Sequence, residues 1–178
     1  MAKTAIITGG SRGIGKAVAY ALAEDGFIPV INYVKNREMA EKTASETGGI
    51  AFMADVSDSG QVMQMIKEIH DRTGQIDILV NNAGISVSGL FTDITPQQAQ
   101  RLWNINVQGV FNCTKAVLPH MIHRKYGRII NISSMWGQVG ASCEVHYSAS
   151  KAAVIGFTKA LAKEVGLSGI NVNCIAPG

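Results

Sequence analysis

The sequence is poor in cysteine and poor in organised charge. Its three cysteines, Cys113, Cys143 and Cys174, lie far apart and form no CxxC or Cys/His pattern. Neither a disulfide framework nor a metal site is expected from that spacing. Net charge is only +3, and apart from Lys35/Arg37 and His123-Arg124-Lys125 the basic residues are scattered, so no nucleic-acid partner is expected. No run reaches the roughly 18 apolar residues of a membrane span, and no signal-peptide core precedes the first strand. No membrane partner and a cytoplasmic location are therefore expected. Charged residues make up 16% and hydrophobic ones 47% of 178 residues, which suits one folded domain with a sizeable core.

Apolar periodicity alternates along the chain. Short β-branched runs at Lys3–Thr8, Phe27–Tyr33, Ile50–Ala54, Ile76–Val80, Arg128–Ile132 and Ile170–Ile175 read as strands. Pro29 is awkward inside the second, because proline cannot donate to a ladder. Helical patterns fill the gaps: from the glycine turn to Asp25, Asn36–Thr47, a segment capped by Ser57 or Asp58 and ending at Thr73, Gln97–Arg124, and Val145–Val165. Thr95-Pro96 fits an N-cap followed by the first helical residue. The long Gln97–Arg124 stretch is expected to break near Asn106 and to bend or stop at Pro119. His120 and His123 read as a solvated helix end. Ser133–Glu144 reads as a loop. Alternating strands and helices with short links predict an α/β fold, a single-domain, doubly wound parallel sheet of Rossmann type. Strands that are continuously apolar fit a sheet covered on both faces.

Glycine is abundant, and its placement carries information. Gly9-x-x-x-Gly13-x-Gly15 joins the first strand to the first helix. Such a turn lets backbone approach a pyrophosphate closely, and the helix start offers free N–H groups. The loop, with Ser11, Arg12 and Ile14, predicts dinucleotide binding. An acidic residue at the end of the second strand would bind a ribose 2′-hydroxyl. Asn32-Tyr33-Val34-Lys35-Asn36-Arg37 has none, and Arg12, Lys35 and Arg37 suit a 2′-phosphate instead, which predicts NADP(H). Ligands of such sheets bind at strand carboxyl ends. Asn32 and Tyr33, Asp55 and Val56, and Asn82, Ala83 and Gly84 hold those places, with Asp55 expected near the adenine amine. Asn81 reads equally as a ligand or as a tie between strands.

Tyr147 and Lys151 are four residues apart on a predicted helix, so they share one face. An ammonium near a phenol favours the phenolate and suits the phenol to general acid catalysis.

These residues together resemble the short-chain dehydrogenases/reductases: Thr8-Gly-x-x-x-Gly-x-Gly15, Asn81-Asn-Ala-Gly84, Ser134, Tyr147-x-x-x-Lys151 and Pro177-Gly178, in that order. The resemblance spans the chain. It implies that Ser134, Tyr147 and Lys151 are catalytic, with Asn106 as a fourth and Asn104 as its competitor. Ser134, thirteen residues before Tyr147, is preferred to Ser133. It implies that Pro177 and Gly178 touch the cofactor along with Tyr147 and Lys151. It also implies a homo-oligomer, dimer or tetramer, joined through the two long helices, with Ala149, Ala152, Ala153 and Gly156 allowing close approach. The glycine loop with Arg12 resembles the NADPH-dependent 3-oxoacyl-[acyl-carrier-protein] reductases of fatty-acid synthesis, which implies an acyl-carrier-protein thioester or another ketone as substrate. Trp136 and Cys143-Glu144-Val145 resemble a side branch whose ketone is a 5-aminopentanone group on elongation factor P. Glu144 then reads either as a carboxylate that attracts an amine or as a residue facing water. The resemblance further implies that the C-terminal part of the family fold lies beyond Gly178.

Overall fold

The computed structural model describes residues 3–178. Six strands, β1 Lys3–Ile7, β2 Phe27–Tyr33, β3 Ile50–Met53, β4 Ile78–Asn81, β5 Gly127–Ile132 and β6 Ile170–Ile175, form one parallel sheet in the order β3-β2-β1-β4-β5-β6. The chain builds outward from β1 in one direction, then restarts at β4 and builds in the other. The reversal opens a crevice past the carboxyl ends of β1 and β4, where ligands of such sheets bind.

Strand alternation sorts the core into two layers. Ile6, Val30, Leu79 and Ile129 face α3 (Ser59–Thr73) and α5 (Gly109–Arg124), against Met65, Ile69, Val117 and Met121. Ala5, Ile7, Ile31 and Val80 face α1 (Gly13–Glu24) and α2 (Arg37–Thr47), against Ala19, Ala40 and Ala44. Each fully buried aliphatic side chain contributes about 1.5–3 kcal/mol.

Pro29 sits in β2 without breaking it. It precedes Val30–Ile50, the first rung toward β3, and a Cβ at Gly49 would lie 2.2 Å from its carbonyl oxygen. That side of Pro29 has no ladder partner, so the missing N–H costs nothing. Asp58, not Ser57, caps α3 by accepting from the amides of Gly60 and Gln61. Thr95 caps α4 (Pro96–Trp103) in a reciprocal box with Gln98. The expected break near Asn106 is a π-helical turn, Asn104–Gln108. Pro119, by contrast, does not stop α5, because Cys113, Val117 and Met121 bury the helix on both sides of it. Of the basic cluster and the histidines, Arg124 and His120 depart from expectation, whereas His123 and Lys125 are exposed. Arg124 turns inward to Asp77 at 2.7 Å, and the ring of His120 stacks on His70 with centroids 4.4 Å apart. The stretch read as a loop holds a single helical turn, α6 (Trp136–Val139), before α7 (Val145–Val165).

Candidate active site

The glycine loop closes over the first strand and the first helix. Gly9 and Gly13 have φ of 63° and 53°, in the region that favours glycine. Gly15 is different: a Cβ there would lie 2.5 Å from the Gly9 carbonyl oxygen and 2.6 Å from Asn82 Nδ2. It is buried and is not among the residues that line the crevice, and the contacts a Cβ would make give it a packing role.

A crevice of about 650 Å³ runs over the carboxyl ends of β1, β2 and β4. Gly9, Ser11, Arg12, Gly13, Ile14, Asn32, Tyr33, Asp55, Val56, Asn82, Ala83 and Gly84 all line it, as does Lys35. Arg37 does not; its guanidinium pairs with Glu41 at 2.7 Å on the same helix. Arg101 and Ile105 line it too. No motif in the sequence points to them, since α4 and the π turn bring them there from a distance.

Several of these polar side chains are struts. Asn32 Nδ2 donates to the Ala54 carbonyl at 2.9 Å, and its Oδ1 accepts from the Gly9 amide at 3.4 Å. Asn82 Nδ2 donates to the carbonyls of Thr8 and Gly9, while Thr8 Oγ1 accepts from the amides of Asn82 and Ala83. The loop is thereby held to β2 and β4 before any ligand arrives. Asp55 Oδ1 accepts from the amide and hydroxyl of Ser57. Asn81 ties strands: its amide donates to Asn131 on β5 and to Thr114 on α5.

A second cavity of about 290 Å³ adjoins the first and shares Ile14, Asn82, Gly84 and Ile85 with it. Ser134, Tyr147, Lys151, Pro177 and Gly178 line it. Lys151 is buried; its ammonium donates to the Ile132 carbonyl at 2.8 Å and lies 5.7 Å from the centre of the Tyr147 ring. Burial pulls the Lys151 ammonium below the ordinary lysine range, with a smaller opposing effect from Cys174. Ser134 Oγ accepts from the Trp136 amide at 3.2 Å, whereas the Ser133 hydroxyl is spent on the Lys151 carbonyl at 2.8 Å. Asn106 is buried, and its amide both accepts from Ile85 N and donates to Ile85 O at 2.8 Å. It also donates to Ser150. Asn104 is exposed, and its side chain accepts from Gln100 Nε2 at 2.7 Å. Gly84 closes the group: a Cβ there would sit 3.3 Å from Asn106 Oδ1 and 3.5 Å from Lys151 Nζ.

The profile described as short chain dehydrogenase matches residues 3–178. The chain belongs to the short-chain dehydrogenase family. It is 42% identical to the 3-oxoacyl-[acyl-carrier-protein] reductase FabG of Staphylococcus aureus, over all of this chain and 74% of that protein. It is 46% identical to the acetoacetyl-CoA reductase of Paracoccus denitrificans, over all of this chain and 74% of that protein. It is also 46% identical to the 3-oxoacyl-[acyl-carrier-protein] reductase of Synechocystis, over 99% of this chain and 74% of that protein.

As a short-chain dehydrogenase the chain is an oxidoreductase that works with a nicotinamide cofactor, and its crevice fits one. The glycine loop lines the crevice at the start of α1, and no side chain caps the α1 N-terminus to compete for its amides. No described helix is long and apolar enough to cross a membrane. Glu144 neither stands free nor simply faces water; its carboxylate accepts from the hydroxyls of Ser86 and Ser88.

Proposed function

We propose that this short-chain dehydrogenase reduces the keto group of a 3-oxoacyl thioester, carried on acyl carrier protein, to the secondary alcohol, with NADPH as donor. The observation that carries the reading is that Ser134, Tyr147 and Lys151 line one cavity continuous with the glycine-loop crevice. When bound, the nicotinamide supplies the hydride. Ser134 already accepts from the Trp136 amide, which leaves its O–H to hold the substrate's carbonyl oxygen. The Tyr147 phenol gives that oxygen a proton as the alkoxide develops. Lys151, held by the Ile132 carbonyl, keeps positive charge beside the phenol as the proton leaves. Asn106 acts as a positioning residue, since its side chain is spent on the main chain of Ile85 and on Ser150.

The choice of NADPH is supported by Arg12 and Lys35, which line the crevice where β2 ends without an acid. The thioester is supported by the names of the relatives, in which a 3-oxoacyl or acetoacetyl group is the common substrate. Those names do not support a ketone on elongation factor P, and Glu144 is occupied by two serines. Self-association through α5 and α7 is supported by an apolar groove of about 390 Å³ lined by Phe111, Leu118, Ile122 and Phe157, and by the exposed small residues Ala149, Ala152 and Gly156.

The deciding assay follows NADPH consumption with an acetoacetyl thioester. Turnover supports the reading. Tight NADPH binding with no turnover over a panel of ketones contradicts it and favours a non-catalytic sensor.

A further inference from the structure

We propose that Glu144 is a positioning residue for the substrate, a carboxylate clamp that ties the segment after β4 to the start of α7 across the mouth of the Tyr147 cavity. The proposal rests on the reductase reading above. Residues 82–91 carry no helix or strand, so nothing in their own backbone pattern fixes them. Asn82, Ala83 and Ile85 are held by Thr8, Gly9 and Asn106, and four further contacts hold residues 86–91. Ser86 Oγ donates to Glu144 Oε2 at 2.6 Å, and Ser88 Oγ donates to Glu144 Oε1 at 2.5 Å. The Gly89 amide donates to the Cys143 carbonyl at 2.9 Å. The rings of Phe91 and His146 stack with centroids 5.2 Å apart.

The arrangement has a chemical logic. A carboxylate only accepts, so both serines must act as donors, and each reaches a different oxygen of Glu144. Hydrogen bonds to an ionised group are the stronger kind. Cys143, just before Glu144, holds φ of 59°, uncommon for a side chain of its type, and the contacts on either side hold it there. Ser86 lines the same cavity as Ser134 and Tyr147, and Tyr147 follows Glu144 by three residues. The clamp thus sets the width of the mouth relative to the phenol.

Steady-state kinetics and hydrogen exchange at the Gly89 amide test this in four proteins: wild type, Glu144→Ala, Glu144→Gln, and the double variant Ser86→Ala/Ser88→Ala. All the changed residues are polar and at least partly exposed, so the variants should fold. Glu144→Ala should raise KM for an acetoacetyl thioester about tenfold, the equivalent of roughly one net hydrogen bond, with kcat and NADPH affinity little changed. Exchange at Gly89 should quicken. The double serine variant should match it. Glu144→Gln should fall between wild type and Glu144→Ala, because an amide accepts from one hydroxyl and donates to the other oxygen but lacks the charge. Unchanged KM with unchanged Gly89 exchange in Glu144→Ala overturns the clamp. So does a KM rise confined to ketones that carry an ammonium group, or a Gln variant as impaired as Ala, since both mean that charge is being read. Should the wild type prove inert toward 3-oxo thioesters, the functional reading fails, and Gly89 exchange alone then decides the clamp.

Discussion

The ammonium of Lys151 donates to the carbonyl oxygen of Ile132, the last residue of β5, at 2.8 Å. This bond hangs a buried cation from the carboxyl end of the sheet, where Tyr147 stands one helical turn away on α7.

Burial lowers the Lys151 pKa beneath its ordinary value of 10.5. Titration of carbon-labelled lysine by NMR should find it below the other lysines. Between that lowered value and the unfolded one, near 10.4, the unfolded chain binds more protons than the folded chain. Stability should therefore rise with pH through that window, and fall as pH drops through the folded value. Lys151→Met should flatten the rise and remove turnover. A Lys151 that titrates with the exposed lysines contradicts this assignment.

Arg12→Ala should weaken NADPH by roughly ten- to a hundredfold, the loss of one hydrogen bond to a charged group worth about 1.5–3 kcal/mol, and leave NADH nearly unchanged. Binding titrations with both cofactors check it. Equal weakening of the two contradicts the choice of NADPH.

Gly15→Ala should cost stability and cofactor binding together. Its Cβ meets backbone at 2.5 Å, so the loop must shift. Overpacking of this kind costs about 1–3 kcal/mol, and about 2–4 °C in Tm per kcal/mol is expected at this size. Gly13→Ala is the contrast: nothing lies within 4 Å of a Cβ there, so only the strain of its φ is added.

Phe157→Arg should dissociate the protein as measured by sedimentation, because it places charge in the apolar groove between α5 and α7. Unchanged mass in solution contradicts association through these helices.

What was legible in the sequence is mostly local. The glycine turn, the strand ends, Thr95-Pro96 and the four-residue spacing of Tyr147 and Lys151 all lie within a few neighbours of one another, and periodicity exposes them. What was not legible depends on pairs far apart in the chain. Asn106 meets Ile85 across 21 residues, and Glu144 meets Ser86 across 58. Asn32 and Asn82 sit at the expected strand ends, yet their amides brace the glycine loop, a use that composition cannot distinguish from ligand binding. Arg37 looked suited to a phosphate, but a carboxylate one helical turn away takes it. Gly15 belongs to the motif by position and to the packing by contact.

If the Tyr147 phenol supplies the proton, Tyr147→Phe removes the general acid and leaves the ring in place. NADPH consumption with an acetoacetyl thioester and NADPH binding are measured in parallel on the wild type and the variant. Turnover should fall by about a hundredfold or more, the range of general acid catalysis, with NADPH affinity nearly intact. Turnover that survives the loss of the hydroxyl, or falls only in step with cofactor binding, contradicts that role for Tyr147.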